Sequence, residues 1–361
     1  MMSRTLFQVF GLTQSYFTRK VTGYLDHKGL PWILRRTGGV PPDLTARGFP
    51  GGIPAVETPA GELMWDSTAM IGYLERRYPE NAVFPSDPVL QFVDYVIEDF
   101  CDEWMYRPAV GSRWFVEENT RLGGFELGRE MTVQLPISAD QAHAMAGAFV
   151  RSSCGPLGVS AENIQSWIDE VLRPWMRVLG THFDAAPTPY LLGARPSLAD
   201  FAVFGGCAAH FANDPACRRW MDEDAPALVR HTHRILEPCD RERGEWLAAG
   251  EVPDTLVAVL AEAGRHYLPW VAVATVRGEA ELTFASGQRV VVGATEFLKD
   301  ARAVLLARYR QLRSDALDRV LERAGILKFF AAHIDEGSVV PVWDTPPQPK
   351  LNRPYPHEGE S

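Results

Sequence analysis

The sequence predicts an α/β domain at the N-terminus, an all-helical domain after it, and a C-terminal extension. Three observations lead to this fold class. Residues 5–34 have the pattern of strand, helix and strand, and residues 53–79 that of a hairpin followed by a helix. From Pro88 onward, apolar residues recur at helical spacing. The predicted boundaries are 1–81 for the α/β domain, 87–264 for the helical domain and 265–361 for the extension.

The strand-helix-strand unit follows from its residue types. Residues 5–10 are mostly β-branched or aromatic, and a polar turn separates them from a helix that is expected to start near Ser15. Gly29 supplies a left-handed cap for this helix, and residues 31–34 form the second strand. A crossover of this length makes the two strands parallel. One face of the helix is apolar, at Phe17, Val21, Tyr24 and Leu25.

The next segment predicts a hairpin, with strands at 53–58 and 62–65 and a turn at 59–61. Pro54 stands at the entrance of the first strand, where it cannot donate to the sheet. Only bonds to proline adopt the cis form at low cost, so the Ile53–Pro54 bond is either cis, turning the Ile53 backbone outward, or an ordinary turn proline.

A helix follows the hairpin, and either Asp66 or Ser67 is expected to cap it. Free amide groups and the positive dipole end of a helix favour a bound carboxylate. Asp66 adds an acceptor for an ammonium group, and Ser67 adds a donor for the carboxylate. The pair therefore suits the α-amino acid end of a ligand, although an ordinary helix cap is the commoner role of an isolated Asp-Ser pair.

These motifs resemble a known family when they are taken together. Their order and spacing are similar to those of the thioredoxin-like N-terminal domain of the cytosolic glutathione transferases, and residues 190–200 resemble that family's C-terminal-domain signature. The resemblance implies glutathione as co-substrate, with no metal. It also implies that Ile53 and Pro54 align the tripeptide, and that Asp66 and Ser67 bind its γ-glutamyl end. The N-terminal motifs are Ser15-x-Phe17-Thr18-x-Lys20-Val21, Ile53-Pro54 and Asp66-Ser67.

Ser15 is the first candidate for the catalytic hydroxyl. A thiol is mostly protonated near neutral pH, and a hydroxyl donor at a helix N-terminus lowers its pKa by hydrogen-bonding the thiolate. Tyr16 replaces the proline that often follows a catalytic serine in the family, so Thr13, Tyr16 and Thr18 remain alternatives. Cysteine is absent from residues 5–79, which excludes Cys-x-x-Cys redox chemistry there.

The helical domain is expected to begin with Asp87 as cap and Pro88 in the first turn. Its first helix faces the glutathione thiol in the family, so the resemblance implies a second-substrate pocket that includes Tyr95, Trp104 and Arg107. Plain core packing is the competing interpretation of the apolar stripe on this helix. Residues 110–160 are interrupted by glycines and are interpreted as an insertion of short helical pieces.

The later segments are expected to be structural. Ser197 and Asp200 form a capping box, and two histidines at 231 and 233 point to different helix faces, which favours exposure to solvent over a metal pair. The extension is predicted to contain a short hairpin at 281–292, two helices at 295–312 and 314–324, and an extended arm at 340–361.

The composition of the chain limits which binding partners and which cellular compartment we expect. The chain has 361 residues, a formal charge of −10 and a pI near 5.5, which disfavours nucleic acid and anionic membrane surfaces as partners. No apolar run approaches the roughly 20 residues of a membrane helix, and five scattered cysteines form no disulfide framework. We therefore expect a cytoplasmic protein, and the resemblance implies a homodimer.

The function predicted from these features is a glutathione S-transferase-like enzyme that activates the glutathione thiolate for attack on an electrophilic, partly apolar small molecule. A glutathione-dependent isomerase, dehalogenase or ether-cleaving enzyme uses the same thiolate, so the motifs leave these alternatives open. A non-catalytic binding protein of the same fold is the rival from another class. A disulfide reductase that uses Cys101 is a third possibility, although helical phase places this residue beside the core.

Overall fold

A computed structural model of the chain describes residues 6–36, 42–48, 52–132, 137–152, 154–185, 189–237, 244–332 and 344–347. Within these residues, the α/β domain and the mostly helical region that the sequence predicts are both present. None of the described helices combines the length and the apolar character that crossing a bilayer requires.

The N-terminal domain contains a four-stranded sheet in the order β2-β1-β3-β4. β1 and β2 are parallel, which confirms the predicted crossover, and β3 is antiparallel to both β1 and β4. Helix α1 begins at the N-cap Ser15 and ends at Gly29 with φ 64°, as expected. The elements in chain order are β1 Phe7–Gly11, α1 Tyr16–Lys28, β2 Trp32–Arg36, α2 Pro42–Ala46, β3 Ala55–Glu57, β4 Leu63–Met64 and α3 Ser67–Arg77.

The helical domain starts with α4, Pro88–Phe100, which Asp87 caps as predicted. This helix continues through a π-helical turn at Cys101–Met105 into α5, Tyr106–Phe115. The three segments form one long helix that runs beside the N-terminal domain. Ser197 and Asp200 form the predicted capping box. The remaining helices of this part are α6 Glu117–Thr132, α7 Ala139–Ser152, α8 Ile164–Trp167, α9 Arg173–Ala185, α10 Leu198–Gly206, α11 Pro215–Asp224 and α12 Pro226–Leu236.

The glycines of the 110–160 segment do not interrupt its helices. Gly123, Gly124 and Gly128 all lie inside α6. A Cβ atom added to Gly128 would approach the backbone of His143 on α7 to 2.8 Å, and one added to Gly124 would meet the His143 ring at 2.7 Å. The expectation of short broken pieces was therefore wrong, because these glycines permit close contact between two regular helices.

His231 also departs from the expectation of solvent exposure. Its side chain is buried, and its Nε2 atom lies 2.8 Å from the Oδ1 atom of Asp200 in the capping box. His233 is exposed, as the helical phase predicts. A buried partner on another helix, α10, decides the environment of His231, and the local sequence carries no sign of it.

The extension folds against the helical domain and shares its apolar core. The predicted hairpin and the two predicted helices are confirmed. Phe92 of α4 lies 5.5 Å from the Tyr309 ring and 5.3 Å from the Phe330 ring, so the extension lies directly on α4. The elements from this side of the molecule are α13 Asp254–Arg265, α14 Tyr267–Arg277, β5 Glu279–Thr283, β6 Arg289–Gly293, α15 Glu296–Leu312, α16 Asp315–Arg323 and α17 Lys328–Ala331.

Candidate functional site

The register of the sheet brings the three N-terminal motifs to one end of the domain. Phe10, near the end of β1, pairs with Ala55 at the start of β3, and Val56 pairs with Met64 at the end of β4. The loop before α1, the Ile53–Pro54 bond and the start of α3 therefore all emerge at the same edge. Chain segments that converge at one sheet edge are the usual place for a ligand in such domains.

Ser15 lies at this edge with its hydroxyl group available. Its Oγ atom accepts a 3.3 Å hydrogen bond from the backbone N–H of Thr18, which is the ordinary N-cap contact. The side chain is partly exposed, and its hydroxyl hydrogen is donated to no residue in the described ranges. Ser15 can therefore donate to an anion while it caps α1.

The three alternative hydroxyl groups have different surroundings. Thr13 Oγ1 donates to the carboxylate of Glu130 on α6. Tyr16 is buried, with its ring near Tyr106 and His210, and burial raises the pKa of its phenol well above 10.0. Thr18 is also buried, and its hydroxyl group lies against the backbone of Gly11. Among the four candidates, Ser15 has the hydroxyl that is both accessible and uncommitted as a donor within the described chain.

The Ile53–Pro54 bond is cis, and Ile53 is partly exposed at the sheet edge. Asp66 is the N-cap of α3 and accepts hydrogen bonds from Thr68 N–H at 3.1 Å and Ala69 N–H at 3.3 Å, both at Oδ1. Its φ of 72° lies in the left-handed region, which a non-glycine residue seldom adopts and which recurs at functional sites. Ser67 begins the helix, and its side chain makes no hydrogen bond to any residue in the described part.

A buried ion network supports the start of α3. Lys20 of α1 is fully buried, and its Nζ atom lies 2.6 Å from Glu98 Oε1, 2.5 Å from Asp102 Oδ2 and 3.2 Å from Thr68 Oγ1. Burial raises the pKa of Asp102 to about 7, although Lys20 beside it favours the charged form. The network joins α1, α3 and the π-helical turn after α4 through one cation.

Burial affects the carboxyl groups of both Asp66 and Glu103. It raises the pKa of Asp66, while the backbone hydrogen bonds of Asp66 and the charge of Lys20 act in the opposite direction. Burial also raises the pKa of Glu103 well above 4.5; the charges of Asp99, Asp102 and Asp66 add to this effect, and Arg107 opposes it. A cationic group bound beside either carboxyl group would favour its charged form.

The residues expected to form a second-substrate pocket lie beneath the extension. Arg308 of α15 lies 3.6 Å from the centre of the Tyr95 ring, and Trp270 of α14 lies 5.3 Å from the Trp104 ring. The Arg107 guanidinium lies 4.6 Å from the Trp270 ring centre and donates to the Leu157 carbonyl at 2.8 Å. Tyr95, Trp104 and Arg107 are 7%, 1% and 6% exposed, so packed side chains already fill the space beside them. Their assignment to a pocket stays a prediction.

Other aromatic residues lie next to Ser15 or Asp66 in the sequence or contact residues that do. Phe17, two residues further along α1, and Tyr106, at the start of α5, are both partly exposed, with ring centres 5.2 Å apart. The sequence assigned Phe17 to the core stripe of α1, and helical spacing alone does not show that its ring reaches the edge. On the other side, Trp65 precedes Asp66 and lies 6.1 Å from the ring of Phe297 on α15.

Cys101 lies in the core between the two domains. Its side chain is fully buried, and burial raises the pKa of its thiol well above 9.0. A protonated, inaccessible thiol is a poor nucleophile. The geometry therefore gives no support to a redox role for this residue.

Comparisons with known proteins identify the N-terminal part of the chain. Residues 14–77 match the family model described as "Glutathione S-transferase, N-terminal domain". A maleylacetoacetate isomerase of Pseudomonas aeruginosa is 39% identical over 88 residues, which cover 23% of this chain and 42% of that protein. The match thus spans less than half of the length of that curated relative.

Two solved structures match part of the chain at lower identity. A glutathione S-transferase of Methylobacterium radiotolerans in complex with glutathione sulfonate is 19% identical, with a TM-score of 0.39, over 64% of this chain and 90% of that chain. The beta-etherase LigF of a Sphingobium species is 18% identical, with a TM-score of 0.38, over 63% of this chain and 99% of that chain.

The family match covers the segment that contains Ser15, Ile53, Pro54, Asp66 and Ser67, and the helical region after it has the expected fold class. Residues 14–77 of the chain are therefore similar to the N-terminal domain of the glutathione S-transferases.

Proposed function

We propose that this chain is a glutathione-dependent enzyme in which Ser15 stabilises the glutathione thiolate for attack on an electrophilic, partly apolar small molecule. The observation that carries the proposal is the Ser15 hydroxyl group, which is partly exposed at the N-terminus of α1 and uncommitted as a donor in the described chain. A donor at the positive end of a helix dipole favours a thiolate over a thiol.

The proposed binding mode follows from the groups at the sheet edge. Asp66 would accept from the ammonium of the γ-glutamyl end through its Oδ2 atom, while the hydroxyl group and the backbone N–H of Ser67 would donate to the carboxylate of that end. The backbone of Ile53, turned by the cis bond to Pro54, would pair with the cysteinyl part of the tripeptide. In this arrangement the sulfur reaches Ser15, because all these groups emerge at one edge.

The electrophile would lie beside the partly exposed residues Phe17 and Tyr106, whose ring centres are 5.2 Å apart at the start of α1. Tyr95, Trp104 and Arg107 would then act as the packed wall behind this position, since the extension covers them. An aromatic pair of this kind suits a flat or partly apolar substrate.

Glutathione-dependent isomerisation is the second candidate reaction. The specific observation that favours it is the 39% identity over 88 residues with a protein named maleylacetoacetate isomerase. The same Ser15 hydroxyl would serve both reactions, because each requires a glutathione thiolate. A homodimer in the cytoplasm, as the family implies, completes the proposal, and light scattering of the purified protein would test the assembly.

The first experiment measures the thiolate absorbance of bound glutathione as a function of pH in the native protein and in Ser15→Ala. A hydrogen bond to a charged group contributes about 1.5–3 kcal/mol, so we expect the pKa of the bound thiol to rise by about 1–2 units in the variant. Ser314→Ala is the matched control, because Ser314 caps α16 in the same way, with its Oγ atom accepting from Leu317 N–H at 3.2 Å.

The possible outcomes separate the alternatives. Glutathione that binds the native protein without forming thiolate at neutral pH would support a non-catalytic binding protein. If the pKa of the bound thiol in Ser15→Ala equals that in the native protein, only the choice of residue is overturned, and Thr13, Tyr16 and Thr18 would be tested next.

A further inference from the structure

The loop that presents Ser15 is short and is held from both sides by the helical domain. β1 ends at Gly11 and α1 begins at Tyr16, so only four residues connect them. Within the loop, Ser15 N–H donates to the Leu12 carbonyl at 3.1 Å. The backbone N–H of Thr13 and the backbone carbonyl of Gln14 have partners more than ninety positions away in the sequence.

Glu130 holds the first side of the loop. This residue lies on α6, is 6% exposed, and accepts from the Thr13 backbone N–H at 3.3 Å (Oε2) and 3.4 Å (Oε1). It also accepts from the Thr13 hydroxyl group. One carboxylate therefore satisfies both donors of Thr13.

Arg113 holds the second side. Its Nη1 atom donates to the Gln14 carbonyl at 3.0 Å, and that carbonyl belongs to the peptide bond that joins Gln14 to Ser15. Nε donates to both carboxylate oxygens of Asp214 at 3.0 Å, and Nη2 donates to the Ala209 carbonyl. Arg113 and Asp214 are 2% and 0% exposed, so this guanidinium is fixed in place by partners from two other segments.

The packing of α5 against α6 leaves room for this arrangement. A Cβ atom added to Gly123 of α6 would lie 2.8 Å from Cγ and 2.9 Å from Cδ of Arg113. The aliphatic part of Arg113 therefore runs across a surface that glycine keeps open. This contact explains why residue 123, in the predicted insertion at 110–160, is a glycine.

We propose that Arg113 and Glu130 are positioning residues that orient the Gln14–Ser15 peptide, and thereby aim the Ser15 hydroxyl group at the sulfur of glutathione. The inference rests on the proposed function, because it assumes that Ser15 meets the thiol. Fixing the peptide plane before Ser15 restricts the φ angle of Ser15, and so the direction of its Cα–Cβ bond. A displacement of this donor weakens its hydrogen bond to the anion without removing the binding groups at α3.

The test uses Arg113→Lys and Glu130→Ala in the full chain, with glutathione as the probe. Arg113→Lys keeps a cation beside Asp214 but lacks the fork that reaches Gln14, whereas Glu130→Ala leaves a helix-favouring residue on α6 and frees Thr13. The controls are Arg173→Lys, at an arginine paired with Asp224, and Glu126→Ala, one turn away on α6 and bound to Asn213. Within the described residues, neither control side chain forms a hydrogen bond with the loop at residues 12–15.

We expect the pKa of the bound thiol to rise by about one unit in either test variant, a tenfold loss of thiolate relative to thiol, with less than a threefold change in glutathione affinity. Hydrogen exchange of the peptide that spans residues 12–19 should become faster, while exchange across α3 stays unchanged. The two controls should match the native protein in all three measurements.

Two results would contradict parts of this account, and they are distinguishable. If the native protein binds glutathione without forming thiolate, the proposed function is overturned, and with it the role of Arg113 and Glu130. If the native protein forms thiolate and both variants form it equally well, only the positioning role of Arg113 and Glu130 is overturned. If Arg113→Lys does not fold, Glu130→Ala decides by itself, because its partner Thr13 is partly exposed and can be solvated.

Discussion

The two faces that meet near Ser15 differ in how accessible their polar and aromatic side chains are to a ligand. On the N-terminal side, Ser15, Asp66 and Ser67 stand at helix starts and keep hydrogen-bonding atoms uncommitted within the described chain. On the α4 side, Tyr95, Trp104 and Arg107 carry suitable groups for a substrate, but side chains of α14 and α15 pack against them.

The resemblance to the glutathione transferases therefore informs the first face but not the second. Residues 14–77 match the family model, whereas side chains of the extension pack against Tyr95, Trp104 and Arg107. The family match therefore does not describe the surroundings of these three residues. Three changes would test this comparison, beginning with the largest expected effect.

Removal of the Trp270 side chain tests whether the extension is part of the core. Trp270 is 3% exposed, contacts Trp104 and Arg107, and donates to the Val292 carbonyl at 3.2 Å. We expect Trp270→Ala to lower the free energy of unfolding by about 3–5 kcal/mol, as for other buried tryptophans. Urea unfolding at fixed pH measures this change.

The matched control is Val276→Ala on the same helix, because Val276 is 78% exposed and should change stability by less than about 0.5 kcal/mol. Folded Trp270→Ala should still form the thiolate of bound glutathione, because Trp270 lies in a different region from Ser15, Asp66 and Ser67. A loss of stability below about 1 kcal/mol in Trp270→Ala would mean that the extension does not close over α4 as described.

Asp99 on α4, beneath the extension, makes the stability of the fold depend on pH. The Tyr267 hydroxyl group donates to its Oδ2 atom at 2.6 Å, and Glu98, Arg302 and Arg308 are the nearby charges. Burial raises the pKa of Asp99 from 3.8 to about 6, so the folded state binds this proton more readily than the unfolded state. Its contribution to stability is complete below pH 3.8 and is lost as the pH rises through 6.

Asp99→Asn should therefore flatten the dependence of stability on pH between 4 and 8, by an amount on the order of 3 kcal/mol. Asparagine keeps an acceptor for Tyr267 but cannot ionise. Denaturant unfolding at several pH values measures the slope, with Asp254→Asn as control because that side chain is 96% exposed. An unchanged slope in Asp99→Asn would show that the carboxyl group is hydrated and the face is open.

The elements that the sequence predicted well depend on neighbours in sequence. Ser15, Asp66 and Asp87 cap helices because a side chain reaches an amide two or three residues away, and Gly29 ends α1 through its own backbone angle. The apolar face of α4 predicted burial. It did not predict which segment covers it, because Arg308 and Trp270 lie far along the chain.

The features that the sequence missed depend on contacts between distant segments. Gly123, Gly124 and Gly128 resemble helix breakers locally, and only the crossing of α6 with α5 and α7 makes them favourable. The contact between Arg113 and Gln14 joins residues 99 positions apart and leaves no periodic signal. The predicted arm at 340–361 lies mostly outside the described residues, and only residues 344–347 show how it contacts the body.

That short segment gives the smallest predicted effect. Trp65 N–H donates to the Pro347 carbonyl at 3.1 Å, and Arg76 forms an ion pair with Asp344. The two charged side chains are 56% and 58% exposed, so water and salt screen their attraction. We expect Arg76→Ala to change the free energy of unfolding by less than about 1 kcal/mol, with no effect left in 1 M salt.

The same variant tests whether the thiol face is independent of the arm. Asp344 pairs with α3, whose first turn carries Ser67, but Arg76 lies at the far end of that helix. Glutathione affinity in Arg76→Ala should therefore stay within about twofold of the native value, since a screened surface pair transmits little energy along a helix. A tenfold change in affinity would mean that the arm is energetically coupled to the proposed γ-glutamyl site at Asp66 and Ser67. The region around Ser15 and Ser67 would then be less accessible than it is described above.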